Sequence, residues 1–328
     1  MADEEAAIIG REAGLARKLT RAQIVMIGLG GAIGTGLFMG SGIAIGYAGP
    51  GVLISYLIAA FCAVAMVCSL SEMVVLHPAA GSFGVYAETY LNPWAGYAVR
   101  YTYWAAQIIA TGGEAVAAGT YMSWWFPQIP VWAWSLGFAI ILLYVNARSV
   151  SNFGSFEYVF AFIKVTAIVG FILLGGAAIL GIGQPAVGFA NLHSLPGGFL
   201  PHGWGGVWMG VIMAIFSFVG TEMVAVTSGE AADPARAVPA ALRSMAARLA
   251  LFYILSLAVL MCIVPWTETG AKVVEESPFV KVFAHTGLPA AAGIMNFVVL
   301  SAALSGMNAN IYLSSRMLFS LSRGGYGP

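Results

Sequence analysis

Charge is what this sequence has least of. Only 9% of its residues are Asp, Glu, Lys or Arg, against about a quarter in an ordinary soluble domain, and that scarcity excludes a soluble globular fold. The charges that exist cancel, fourteen acidic against fourteen basic, so there is no basic surface for nucleic acid. Cysteine is nearly absent too. Cys62, Cys68 and Cys262 all lie in apolar runs, where free thiols pack as small hydrophobes, so neither a disulfide framework nor a metal site is expected. Three of the four histidines, His77, His193 and His202, fall in loops, and His285 falls in a short polar segment. No nucleophile–base pair or metal-ligand cluster emerges, so the expectation is no enzyme, no cofactor and no metal. No cleavable leader is expected either: about twenty polar residues precede the first apolar run, which has no small-residue cleavage site.

What the chain does have is length of apolar run. Hydrophobic residues make up 60% of it and the mean hydropathy is +0.87. A bilayer-spanning helix needs about 20 apolar residues, and eight segments of the 328-residue chain qualify: 22–47, 52–76, 95–122, 131–147, 155–181, 205–227, 244–265 and 289–320. Turn residues separate them, as in "YAGPG" (47–51), "FPQIP" (126–130) and "HSLPGGFLPHG" (193–203). Most links are short, so neighbouring helices run antiparallel. Basic residues set the orientation. With a cytoplasmic N-terminus, eleven of the fourteen Lys and Arg fall on the inner side; Lys272 and Lys281 fall outside and Lys164 within a span. The segment "ESPFVKVFAHTG" (276–287) is too short and polar to cross. It reads equally as a short helix over the outer face or as an exposed loop.

The first span contains "GLGGAIGTGLFMGSG", Gly28 to Gly42, seven of whose fifteen residues are glycine. In a helix interior each costs up to ~1 kcal/mol relative to Ala. Two readings compete. Small residues allow close helix packing, which suits Gly30, Gly34 and Gly42. Alternatively the helix is broken in mid-membrane, leaving peptide N–H and C=O groups to bind a ligand. A dinucleotide fingerprint is rejected, because no strand precedes the run and the spacing is not GxGxxG. A second irregular span, "FSFVGTEMVAVTSGEAADP" (216–234), places Gly220 and Glu222 in mid-span. Paired interrupted helices at matching positions of two halves are the sequence pointer to a transporter's binding site.

"GLGGAIGTGLFMGSG", "SLSEMVVLHPAAGSFGVYAETYL", "SWWFP", "FSFVGTEMVAVTSGEAADPARAVPAALR" and "NFVVLSAALSGMNANIYLSSRMLFSLSRGG" together resemble the amino-acid permeases of the amino acid–polyamine–organocation (APC) superfamily. The most specific element is Gly229-Glu230 with Pro234, followed by Pro239. The resemblance implies an all-α, polytopic LeuT-like inverted-repeat fold with helices 1 and 6 discontinuous. It implies a cytoplasmic tail at 1–21, a first five-helix repeat at 22–181, a partial second repeat at 205–320 and a cytoplasmic end at 321–328. Permeases of this kind have twelve helices, so the chain reads as truncated after the eighth, with the second repeat incomplete.

The resemblance also implies site residues. The substrate carboxylate would meet Thr35 and Gly36, with Ile33 and Gly34 beside them. The ammonium would meet carbonyls of Ala32, Phe216 and Val219 next to Gly220, and Phe216 would double as an aromatic lid; the bland alternative is a lipid-facing or core Phe216. Thr111 and Glu114 would line the side-chain end of the pocket, with Asn310. Read from the residues alone, Glu114 lies about 19 residues into its span, where a carboxylate is a functional hypothesis by default, or else a structural carboxylate paired between helices. Lys164 lies about nine residues past Ser155, ~14 Å in at 1.5 Å per residue. It is either a proton-exchanging ammonium, as the family implies, or a lysine snorkelling to the interface. The proton would be relayed through Glu114 or Glu222, Glu222 alternatively bracing the inner gate, and Glu72 and Glu230 with Arg236 read as inner-face structure. The expected activity is uptake of amino acids across the plasma membrane by proton symport with alternating access. Its partners would be an amino acid, protons and the lipid bilayer. A neutral aliphatic substrate is preferred, ahead of basic amino acids and 4-aminobutyrate. The rivals are sodium symport, an amino-acid sensor on a transporter fold, and an inactive fragment.

Overall fold

The computed structural model describes residues 8, 10, 19–77, 79, 81–148, 150–183, 185–231, 234–269, 277–285 and 289–327. Among them the secondary structure is helical, apart from one isolated parallel bridge that ties Leu19 to Ala231. Chain entry into the first span is fixed by a capping box at Thr20. The Gln23 N–H donates to Thr20 Oγ1 and the Thr20 N–H donates to Gln23 Oε1, which satisfies donors the first helical turn leaves open.

The first expected span is two half-helices. Helix α1 (Arg21–Ala32) ends at Ile33, whose backbone (φ −81°, ψ 79°) leaves the helical region. A single π turn over Gly36–Gly40 then leads into α2 (Ser41–Ala48). A positive φ of 57° at Gly49 stops the helix before Pro50. Then follow α3 (Val52–Leu76), the short α4 (Ser82–Tyr90), α5 (Pro93–Met122), α6 (Val131–Arg148) and α7 (Val150–Leu180). Helix α5 starts where Asn92 caps it, accepting from the Ala95 N–H at 2.8 Å, with Pro93 in the first turn.

The sixth expected span is also divided. Helix α8 (Gly203–Ser217) stops at Phe218, and α9 (Met223–Val226) resumes after a loop in which Gly220 has φ +104°, a conformation glycine alone adopts at ease. Helix α10 (Pro234–Ile263) begins ten residues before the expected 244 and carries Pro239 within it. The remaining helices are α11 (Trp266–Thr269), α12 (Pro278–His285) and α13 (Pro289–Arg323). Helix α12 resolves the open choice for 276–287 in favour of a short helix; residues 276, 286 and 287 lie outside the described set.

Packing centres on the broken helices. Helix α1 lies against α7 and α10, α2 against α8, α3 against α10, and α13 runs along α5. Side chains turned inward form one large apolar core and a small second cluster of Ala115, Leu142 and Met307. Outward faces are apolar as well: Phe61 and Ile109 are each 76% exposed and Leu173 67%. A helix that is hydrophobic all round belongs in a bilayer, and the chain is a multi-pass membrane protein.

Candidate functional site

The two breaks meet backbone to backbone. A Cβ on Gly36 would lie 2.8 Å from Ser217 Cα, and one on Gly220 would lie 2.5 Å from the Gly31 carbonyl oxygen. Only glycine allows that approach. Hydrogen bonds hold the junction. Ser217 Oγ donates to the Gly36 carbonyl at 2.8 Å and pairs with the Tyr56 hydroxyl at 2.8 Å. Tyr253 on α10 sends its hydroxyl to the carbonyls of Ala32 (2.7 Å) and Ser217 (3.0 Å), the last residues of α1 and α8. Backbone freed by a break inside a membrane must find such partners.

Beside this junction lies a small cavity. Its wall includes Ala32, Gly34 and Gly36 from the first break, Phe216 from the second, and Glu114 and Asn310 from α5 and α13. Val219 and Gly220 also line it, and Phe216 and Val219 are half-exposed. Three expected residues lie elsewhere. Ile33 is fully buried in the core, the Thr111 hydroxyl donates to the Gln107 carbonyl at 2.7 Å one turn back, and Thr35 points at Glu114. The cavity wall instead takes Gln107 and Gly306, which sequence reasoning did not single out.

Glu114 is held at the first break. Thr35 Oγ1 donates to its Oε1 at 2.8 Å, while its Oε2 is buried with no hydrogen-bond partner among the described residues. Helix α13 crosses over it at Gly306, where a Cβ would come within 2.8 Å of Oε1. The carboxylate of Glu114 thus sits on the hydroxyl expected to receive a substrate carboxylate. Glu222 closes back on its own loop: its carboxylate accepts from the Gly220 N–H at 2.9 Å and from the Tyr103 hydroxyl at 2.8 Å.

Lys164 is fully buried and does not snorkel. Its ammonium donates to the Gly30 carbonyl, and at 2.8 Å to Ser305 Oγ on α13. Ser305 in turn donates to Glu157, a buried acid seven residues before Lys164 on the same face of α7. Glu157 was not among the expected residues, although its seven-residue spacing from Lys164 was a signal available in the sequence. Tyr253, Tyr56 and Ser217 carried no such signal.

At the end of the molecule where the chain enters, Glu230 pairs with Arg316 at 2.5 Å and accepts from the Tyr312 hydroxyl at 2.7 Å, while its carbonyl accepts from the Leu19 N–H. Glu230 therefore has its ion pair on α13; Arg236, read with it as inner-face structure, has a side chain outside the described set. Glu72 is exposed.

Comparison with known proteins follows the same lines. The amino acid permease family matches residues 23–328. The gamma-aminobutyric acid permease of Bacillus subtilis (strain 168) is 42% identical over 319 residues, which is 97% of this chain and 67% of that protein. The aromatic amino acid transport protein AroP of Escherichia coli (strain K12) is 42% identical over 315 residues, 96% of this chain and 68% of AroP. The chain thus spans about two thirds of the length of these relatives. Among solved structures, Mhp1, a nucleobase-cation-symport-1 family transporter in a closed conformation with bromovinylhydantoin bound, superposes with a TM-score of 0.59 over 94% of this chain and 67% of that one. At 12% identity the likeness is one of fold alone, a LeuT-like arrangement with broken helices.

Proposed function

The chain belongs to the amino acid permease family, and from that premise we propose that it binds an α-amino acid between its two broken helices and carries it across the plasma membrane. The observation that carries this reading is the junction of the breaks beside a cavity faced by Glu114. Peptide dipoles at half-helix ends suit the two charges of a zwitterion: N–H groups near Thr35 and Gly36 for the carboxylate, carbonyls of Ala32, Phe216 and Val219 for the ammonium. Phe216 and Asn310 flank the space left for the side chain. The relatives with equal identity are named for 4-aminobutyrate and for aromatic amino acids, so identity alone does not choose a side chain; a neutral amino acid suits a wall of Gly, Ala, Phe and Val.

Transport is driven by protons in this reading. The family resemblance implies that a lysine here stands where sodium-coupled relatives hold a cation, and in support the Lys164 ammonium donates to the Gly30 carbonyl and Ser305. In this reading the N-terminus and Arg148 face the cytoplasm, the orientation that the distribution of basic residues favours. Alternating access follows from movement of the broken helices around the bound substrate.

The test is counterflow in proteoliposomes. Vesicles containing the purified chain and loaded with unlabelled amino acid should accumulate labelled amino acid without a gradient. Binding without exchange would make the chain a sensor on a transporter fold, and neither binding nor exchange would end the reading.

A further inference from the structure

The substrate junction leaves one acid without a task. Glu157 is fully buried in α7, outside the cavity wall, with both oxygens engaged. Its Oε1 accepts from Ser305 Oγ, and its Oε2 accepts from Asn308 Nδ2 at 3.2 Å; Asn308 in turn accepts from Asn146 Nδ2 at 2.8 Å. Ser305 also receives the Lys164 ammonium. The hydrogen bonds therefore run in one direction, from Lys164 Nζ through Ser305 Oγ to Glu157 Oε1. We infer that Glu157 is the acceptor of the proton that leaves Lys164, with the Ser305 hydroxyl as the link between them.

The step balances. One N–H of the Lys164 ammonium passes its proton to Ser305 Oγ as the hydroxyl proton of Ser305 passes to Glu157 Oε1. An ammonium and a carboxylate become an amine and a carboxylic acid, and the serine is restored. Net charge does not change, so the step avoids leaving a single uncompensated charge in the interior, which is the costly event for buried ions. Glu157 lies seven residues toward the Arg148 end of α7, ~10 Å along the helix, on the cytoplasmic side in the orientation proposed above. The inference rests on that proposal: a proton leaving Lys164 inward has its first stop there.

The step also has a mechanical consequence. Lys164 grips α1 through the Gly30 carbonyl, three residues before the break at Ile33. A charge-assisted hydrogen bond is about twice as strong as a neutral one, so discharging the ammonium loosens α1 from α7 and α13 at the point where the helix must move. Helix α1 offers the Gly30 carbonyl, α13 offers Ser305 and Asn308, and α6 offers Asn146 through Asn308. Helix α10 meets α7 farther along, through Val259 and Ile263 beside Gly175. Among the described residues, the Glu114 carboxylate also acts on Lys164.

The experiment compares wild type, Glu157→Gln, Ser305→Ala and Ser305→Thr in proteoliposomes, reading gradient-free exchange of labelled amino acid and uptake driven by an inward proton gradient. Glu157→Gln and Ser305→Ala should keep exchange but lose at least tenfold of proton-driven uptake and its dependence on pH, and Ser305→Thr, which restores the hydroxyl, should regain it. Unchanged proton-driven uptake in Glu157→Gln would overturn the inference while leaving substrate transport intact. Loss of exchange together with coupling in Glu157→Gln and both Ser305 variants would make the network a structural brace and also overturn it. Absence of exchange in wild type would instead remove the transport reading itself.

Discussion

The Tyr253 hydroxyl lies 2.7 Å from the carbonyl of Ala32 and 3.0 Å from that of Ser217. These residues end α1 and α8 and lie 185 positions apart in sequence. One phenol on a third helix thus caps both half-helices at the junction where the substrate is proposed to sit. Replacing it tests how tightly that junction must be held. An unpartnered buried polar group costs ~1–3 kcal/mol. Tyr253→Phe keeps the ring and should lower the melting temperature of the purified chain and weaken amino-acid binding about fivefold to tenfold. Binding and melting equal to wild type would show that the phenol only fills space.

Glycine at the junction is required by contact, and glycine elsewhere is not. Gly220→Ala would combine a positive φ with a methyl group 2.5 Å from the Gly31 oxygen. Left-handed backbone costs an L-residue roughly 1–2 kcal/mol, and overpacking adds about 1–3 kcal/mol more. Gly36→Ala meets Ser217 Cα at 2.8 Å. Both should abolish measurable exchange. Gly112→Ala, in the open at mid-α5, should leave exchange unchanged and raise helix stability by up to ~1 kcal/mol. Equal behaviour of all three variants would mean that the breaks do not need to touch.

Glu114 and a substrate carboxylate compete for one hydroxyl, that of Thr35. The sign of the pH effect follows. At high pH Glu114 is ionised, keeps Thr35 and repels an incoming carboxylate. At low pH it is neutral and yields the donor. Affinity should fall as pH rises, and Glu114→Gln should flatten that dependence, measured as Kd by binding of labelled amino acid across pH. Gly306→Ala, which presses a methyl against the same carboxyl, should raise KM several-fold. A Glu114→Gln profile parallel to wild type would detach Glu114 from the site.

Arg316 and Glu230 form a pair in which the acid is almost wholly buried, 1% exposed against 18% for the arginine. Removing one partner of a buried pair leaves an uncompensated charge at a cost of about 3–5 kcal/mol, less here because water reaches Arg316. Arg316→Ala should lower thermal stability clearly, and Arg316→Lys should recover part of it, since the Tyr312 hydroxyl still serves Glu230. Equal melting of both variants and wild type would show that this pair does not fasten α13.

Much of this architecture was legible because a membrane leaves few choices. Apolar runs long enough to span marked α3 to its exact ends, and the glycine cluster at 28–36 marked the first break. The N-terminal ten residues of α10 were not legible. They carry Arg236, Arg243 and Pro239, so they lack the apolar signature used to find spans. Of the site, the small residues of the breaks, Glu114, Phe216 and Asn310 were readable and line one cavity. Tyr253 was not, since a tyrosine in an apolar run looks like core and its partners are 221 and 36 residues away. The same distance problem hid Arg316, which pairs with Glu230 from 86 residues on.

The most direct measurement is binding of an α-amino acid to the purified chain beside its methyl ester and its N-acetyl derivative. If unwound backbone grips both ends of a zwitterion, masking either end should cost at least a hundredfold in Kd, and masking both should abolish binding. Equal affinity for the amino acid and either masked form would contradict it, because the breaks would then be gripping something other than the two charges.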